Sequence, residues 1–299
     1  MSAEGYRAVV GVIGGSGVYD IEGLEERRWQ AVESPFGEPS DEMLFGRLEG
    51  TEVVFLPRHG RGHPLSPSDI NYRANIDALK RSGVTDIISV SAVGSLKEEL
   101  SPGTFVMVDQ FIDRTFARNK SFFGTGCVAH VSMAEPVCLV LSACLAETAE
   151  EQGIAHQRGG TYLVMEGLQF SSKAESALYR TWGCDVIGMT NMPEAKLARE
   201  AELGYATVAM VTDYDCWHPD HGHVSVEKVV AVIHANADHA RSLVAGAVPR
   251  IAAKAAEGPR ECHRSLDFAI ITAPHARDPD VVAKLDAVAG RVLGTRTSE

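Results

Sequence analysis

The chain has 299 residues, 45% hydrophobic and 23% charged, the profile of an ordinary globular chain with material for one large domain or two smaller ones. Its formal net charge of -12 excludes a general binder of nucleic acid or anionic membrane, both of which need a basic face, so any anionic ligand must be caught by local cations. Six cysteines without a CxxC pair, an N-terminus lacking a basic and then apolar region, and no apolar stretch of about 18 residues predict reduced thiols and a cytoplasmic protein with no membrane or nucleic-acid partner.

Taken in order, an apolar run at 8–13 opens into Gly14-Gly15-Ser16-Gly17. Consecutive amides and the Ser16 hydroxyl suit an anion there, although the spacing is neither the dinucleotide nor the P-loop pattern and a plain tight turn fits equally well. The run 53–56 leads into Arg58-His59-Gly60-Arg61-Gly62-His63, a dense set of positive donors that is either an anion site or a solvated basic loop. A helical period over 71–81 is followed by a strand at 87–90, whose end, Ser89 to Ser95, reads as a turn of small residues offering a hydroxyl and an amide. Strands at 105–108 and 162–165 and helices at 137–152, 174–182 and 194–202 follow.

The strand predicted at 205–210 runs into Val211-Thr212-Asp213-Tyr214-Asp215-Cys216-Trp217, which sets two acids where a parallel sheet opens its ligand crevice. A carboxyl facing a purine edge can accept from an exocyclic amine or share a proton with a ring nitrogen. His218-Pro219-Asp220-His221-Gly222-His223 suits either a divalent metal or a titratable lid. On the helix predicted at 225–244, Val226, Val229 and Val230 share one face, as core residues or as an apolar ligand wall. Beyond 251 a linker-like stretch precedes a strand at 266–272 and a helix at 278–292, so residues 1–255 read as the main domain and 256–299 as a C-terminal extension. Strands alternating with helices predict an α/β fold, a mixed central sheet covered by helices on both faces.

The chain resembles the trimeric purine nucleoside phosphorylase (nucleoside phosphorylase-I) family, and within it the members that cleave 5'-methylthioadenosine. The resemblance rests on Gly14-Gly15-Ser16-Gly17, Arg58-His59-Gly60, Asn71-Tyr72-Arg73-Ala74-Asn75, Ser91-Ala92-Val93-Gly94-Ser95, Asp109 to Thr115, Met133-Ala134-Glu135-Pro136, Phe170-Ser171-Ser172, Met189-Thr190 with Pro193-Glu194, and Thr212 to Trp217, in order across residues 8 to 250. It implies a nucleoside phosphorylase-like fold and phosphorolysis of 5'-methylthioadenosine to adenine and 5-methylthioribose 1-phosphate. Inorganic phosphate would be a co-substrate, with no cofactor and no metal.

Residue by residue, the resemblance implies a phosphate site from Ser16, Arg58, His59, Ser91, the Ala92 amide and Thr190. Met189 would pack on the ribose, Phe170 and Ser171 would line the nucleoside pocket, and Asp213 and Asp215 would face the adenine edge and carry the proton chemistry. Val226, Val229 and Val230 would form the apolar 5' pocket, completed by His130 from a neighbouring subunit of a homotrimer. The chain departs from the family at Glu166-Gly167-Leu168-Gln169-Phe170, where Pro and Arg are usual, and it carries Ser16 and Ser91 where threonine is common. Members that prefer 6-oxopurines have Asn in place of Asp213, so the acid implies adenine. Left open at this stage are 5'-deoxyadenosine or adenosine as further substrates, a 6-oxopurine phosphorylase, a metal-dependent hydrolase using residues 218–223, and a non-catalytic nucleoside-binding protein.

Overall fold

The computed structural model describes residues 6–15, 17–219 and 226–294. In chain order the elements are β1 (Val9–Gly14), β2 (Glu25–Gln30), β3 (Met43–Leu48), β4 (Thr51–Pro57), α1 (Tyr72–Arg81), β5 (Asp86–Ser95), β6 (Phe105–Val108) and β7 (Gln110–Asp113). They continue as α2 (Leu139–Glu151), β8 (His156–Arg158), β9 (Thr161–Val164), α3 (Lys173–Thr181), β10 (Val186–Gly188), α4 (Asn191–Glu200), β11 (Gly204–Asp213), α5 (Val226–Ala255), α6 (Pro279–Lys284) and α7 (Asp286–Leu293). The expected α/β class, with a mixed sheet between helical layers, is the one that forms.

Two long, almost wholly buried strands, β5 and β11, pair in parallel at the centre. Burial on both faces is why they read as near-continuous apolar runs rather than alternating ones. Successive side chains nevertheless go to opposite faces: Ile87 and Ala209 join the core under α1 and α4, while Ile88 and Val208 join the core under α2 and α5. The apolar faces of α1 (Ile76, Leu79) and α4 (Leu197) close one side, and those of α2 (Leu141, Leu145) and α5 (Leu243, Val244) close the other.

The placement of the site follows from how β5 is flanked. On the edge away from β11, β1 pairs with β5 only as far as Ser89, and β10 takes up antiparallel pairing at Gly94 and Ser95. Residues 90–93 lie in the gap between these two partners. Ser91 and Ala92 therefore sit within a strand, and the turn predicted after residue 90 is corrected: β5 runs on to Ser95 because β11 pairs with it throughout. Likewise β11 extends to Asp213, past the predicted end at 210, with an irregularity between Val211 and Asp213 that returns Asp213 to register with Gly94.

The last third also departs from expectation. Helix α5 continues through the predicted linker start to Ala255. No strand forms at 266–272; a single bridge joins Ile270 to Ala129. The predicted terminal helix is two helices separated at Leu285. These residues pack closely on the body: Leu266, Leu285, Val288 and Ala289 enter the core, Arg260 and His263 bond the buried Asp86, and Arg291 pairs with Glu202. Among the described residues no helix is long and apolar enough to cross a membrane, and the six cysteines are free thiols.

Candidate active site

Arg58 leaves the end of β4 and turns inward beneath the gap in β5. Its side chain and that of Glu194 are 3% and 2% exposed, and they form a two-point ion pair, Nε to Oε2 at 2.8 Å and Nη2 to Oε1 at 3.1 Å. Nη1 donates to the Val90 carbonyl at 2.8 Å and Nη2 to Ser89 Oγ at 2.7 Å. Ser89 and the Tyr205 hydroxyl also donate to Glu194 Oε1, at 2.6 and 2.9 Å, so both buried charges are compensated. The anion that this dense basic loop demands is thus partly supplied by the chain itself. Glu194 appeared in the sequence only as part of a motif, without a role, because its partner lies far away in the chain.

Arg61, by contrast, points outward to Asp41 and Glu42, so the basic loop divides into one buried and one exposed cation. His59 lies stacked on His63 with centroids 4.1 Å apart, and its Nδ1 is 2.9 Å from the Leu65 carbonyl. A carbonyl can only accept, so Nδ1 carries the hydrogen and Nε2 is left as an acceptor or a site for a second proton.

Burial pushes the His59 imidazole down to about 4, aided by the nearby Arg58 charge. An unfolded chain takes up this proton near pH 6.5. Between about pH 6.5 and 4 the unfolded state therefore binds more protons, and this contribution to stability is lost as pH falls, by roughly 3 kcal/mol in all. An imidazole NMR titration should find His59 neutral down to pH 5; an ordinary midpoint near 6.5 would contradict the assignment.

In the gap of β5, Ser91 is buried and Ala92 half-buried. The Ser91 hydroxyl lies 3.1 Å from that of Thr190, which immediately precedes α4. Ser91 and Thr190 thus meet, Ala92 follows Ser91 in the strand, and Arg58 reaches the carbonyl of the preceding Val90. Ser16, expected there too, lies outside the described residues.

Asp213 and Asp215 lie at the end of β11. Gly94 makes room for them: a Cβ there would stand 2.9 Å from Asp213 Oδ1. Asp213 Oδ1 accepts the Asp215 backbone N–H at 2.7 Å, and Oδ2 is 2.8 Å from the Thr212 hydroxyl. Thr212 Oγ1 is also 3.1 Å from the Val93 carbonyl, yet it has one hydrogen. When that hydrogen serves Val93, a protonated Asp213 can donate to Thr212; when it serves Asp213, the acid is ionised. The site therefore accommodates either protonation state. Burial raises the affinity of both acids for protons, outweighing the hydrogen bonds that favour ionised Asp213. Asp215 is 5% exposed and adopts a left-handed backbone, φ 50°.

The residues expected to line the nucleoside, Phe170, Ser171 and Met189, lie in the segments just before α3 and α4. The capping box of α3, Ser172 with Glu175, fixes the chain just after Phe170 and Ser171, and Cys216 Sγ contacts the Ser171 carbonyl at 3.3 Å. Phe170 is 46% exposed and Met189 half-buried. The buried Arg118 ties these segments together by donating to the carbonyls of Glu166, Met189 and Met192 at 2.6 to 2.7 Å. Sequence reasoning missed it because no local pattern marks a hub. Val226 and Val230 are exposed and Val229 is half-buried, so the first two are not core residues. His130 is exposed on a loop whose backbone bonds Ala269, and no hydrogen bond joins its ring to the acids or hydroxyls above.

Of the 218–223 cluster only His218 and Pro219 are described; His218 Nε2 is 3.0 Å from Glu98 Oε1. Among the described residues no group of three His, Cys, Asp or Glu side chains is arranged to hold a metal.

The sequence model of the phosphorylase superfamily matches residues 9–249. The chain is 68% identical over 293 residues to the S-methyl-5'-thioadenosine phosphorylase of Rhodospirillum rubrum, covering 98% of this chain and 100% of that one. It is 64% identical to the protein of the same name from Cereibacter sphaeroides, over 96% of this chain and 99% of the relative. The crystal structure of a methylthioadenosine phosphorylase from an antarctic soil metagenomic library superposes with a TM-score of 0.89 at 46% identity, covering 95% of this chain and 99% of that one. A substituted adenosine/methylthioadenosine phosphorylase from Schistosoma mansoni, in complex with methylthioadenosine, superposes with a TM-score of 0.81 at 36% identity, over 87% and 98% of the two chains.

Proposed function

The chain belongs to the phosphorylase superfamily, and we infer that it is a pentosyltransferase that cleaves 5'-methylthioadenosine with inorganic phosphate, releasing adenine and 5-methylthioribose 1-phosphate. The observation that carries the chemistry is the half-buried acid Asp213, at the sheet end with a hydrogen-bonding arrangement for both of its protonation states.

Attack of phosphate on the anomeric carbon needs a held nucleophile, compensation of the positive charge that develops on the sugar, and a base that leaves protonated. Arg58, His59, Ser91, the Ala92 amide, Thr190 and Ser16 form the phosphate site in this reading. Phosphate held there is itself the negative charge beside the developing oxocarbenium. Asp213, whose proton affinity burial raises, donates toward purine N7 while Asp215 assists, and the carboxyl pairs with the 6-amino group that an oxo group would replace in other purines. Phe170, Ser171 and Met189 line the nucleoside, and Val226, Val229 and Val230 face its apolar 5' substituent. The exposure of Val226 and Val230 supports a ligand-facing rather than a packing role.

The exposure of His130 supports a homotrimer in which it completes a neighbour's pocket. In this reading 1–255 is the main domain and 256–299 its extension; Arg260 and Arg291 of the extension pair with Asp86 and Glu202. Phosphate is a co-substrate and the scheme uses no cofactor. Free thiols agree with a cytoplasmic location.

The test is a panel of 5'-methylthioadenosine, 5'-deoxyadenosine, adenosine and inosine, each assayed with and without phosphate. Adenine release is expected only with phosphate, and fastest from 5'-methylthioadenosine. Release without phosphate would make the protein a hydrolase, faster turnover of inosine would make it a 6-oxopurine enzyme, and binding without turnover would leave a nucleoside-binding protein.

A further inference from the structure

Beneath the phosphate residues lies a hydroxyl that the scheme above does not use. Tyr162, on β9, is fully buried, and its ring packs among apolar neighbours, tilted against Phe111 with centroids 5.9 Å apart. Phenylalanine would fill that space equally well. Burying a hydroxyl costs free energy unless it is bonded, so its partners matter. Tyr162 Oη lies 3.1 Å from Ser91 Oγ, and Ser91 Oγ lies 3.1 Å from Thr190 Oγ1. The backbone is shaped to admit the tyrosine: a Cβ at Gly188 would collide with its hydroxyl.

Each of these three hydroxyls has one hydrogen to give. A phenol is a stronger donor than an aliphatic alcohol, so Tyr162 gives its hydrogen to Ser91. Burial keeps the phenol protonated. Ser91 is then free to donate to Thr190, to the Ala92 carbonyl at 3.4 Å or outward, and Thr190 outward in turn. Chains of hydrogen bonds polarise one another, so a row that begins at a phenol presents its terminal hydrogen more strongly than an isolated hydroxyl would. It also fixes rotors that would otherwise have to be ordered when the anion arrives.

We propose that Tyr162 is a positioning residue for phosphate: it anchors a directed row of hydroxyls, Tyr162 to Ser91 to Thr190, that presents its terminal hydrogen to the incoming anion. The proposal rests on the phosphate site assigned above. Tyr162 itself does not touch substrate.

The test is Tyr162→Phe in the full-length enzyme, compared with Ser91→Ala and with the double variant. Losing one hydrogen bond of ordinary strength predicts that the KM for phosphate rises about five- to tenfold in Tyr162→Phe. The KM for the nucleoside and kcat at saturating phosphate should stay within about twofold of the parent. If Ser91 is the link through which Tyr162 acts, the double variant should bind phosphate no worse than Ser91→Ala alone, even though Thr190 also lies beside the phenol. A phosphate KM unchanged in Tyr162→Phe, fully additive effects, or a parallel loss of nucleoside affinity and thermal stability would each overturn the proposal. Failure of the underlying reading looks different: the unsubstituted enzyme would then turn over without phosphate. A phosphate-dependent parent with an unaffected Tyr162→Phe variant overturns the role of Tyr162 alone.

Discussion

Replacing Asp213 by asparagine is expected to lower kcat/KM for 5'-methylthioadenosine by about 10²- to 10⁴-fold, the usual worth of a general acid, while leaving the fold intact. The local hydrogen bonds explain why the fold should survive. The oxygen that accepts the Asp215 N–H must remain an oxygen, which sends the new amide nitrogen to the position of Oδ2, beside Thr212. Thr212 can accept from that nitrogen and pass its own hydrogen to the Val93 carbonyl, so no buried group is left unpaired. What disappears is the titratable proton. Because burial raises the proton affinity of Asp213, the parent should lose activity as pH rises through that group, and the variant should lack this limb of its pH profile. An amide nitrogen can donate to a 6-oxo group, so the preference for inosine over adenosine should increase. Steady-state kinetics across pH with both nucleosides checks all three points. Equal loss on both substrates would remove Asp213 as the selector of the base.

Glu194→Ala is expected to destabilise the protein by about 3–5 kcal/mol, because it leaves the Arg58 guanidinium buried without its counter-charge. Ser89 and Tyr205 lose their shared acceptor at the same time. Urea unfolding measures the loss directly, and the melting temperature should fall by on the order of 10 °C. Glu194→Gln retains one acceptor oxygen and should lose less. A Glu194→Ala protein within about 1 kcal/mol of the parent would mean that water or another group reaches Arg58, and that the pair does not hold the guanidinium in place.

Much of the architecture was readable from local pattern. β1, β4, β5, β6, β9 and β11 each carry a short apolar run because both of their faces are covered, and α1 to α4 show the helical period that covering layers require. The strands that escaped notice are of other kinds. β2 is exposed along its whole length and opens with four charged residues, β7 lies partly exposed at a sheet edge, β3 is interrupted by Gly46, and β8 and β10 have three residues each. Such strands exist through pairing with a neighbour, which no window of sequence contains.

The site divides along the same line. By itself the sequence determined which chemical groups are available: two acids following an apolar run, an arginine and histidine loop in an acidic chain, and hydroxyls among small residues. It also determined the family to which those groups belong. Only the tertiary structure decided what each group touches. It set Ser91 and Ala92 in a gap between two partners of β5 rather than in a turn, made Glu194 the counter-charge of Arg58 across 136 positions of chain, and set the Tyr162 hydroxyl against Ser91 across 71. The physical reason is range. Helical period, strand burial and turn preference act over a few residues and leave a local imprint, whereas compensation of a buried charge or hydroxyl is settled by whichever element folds against it.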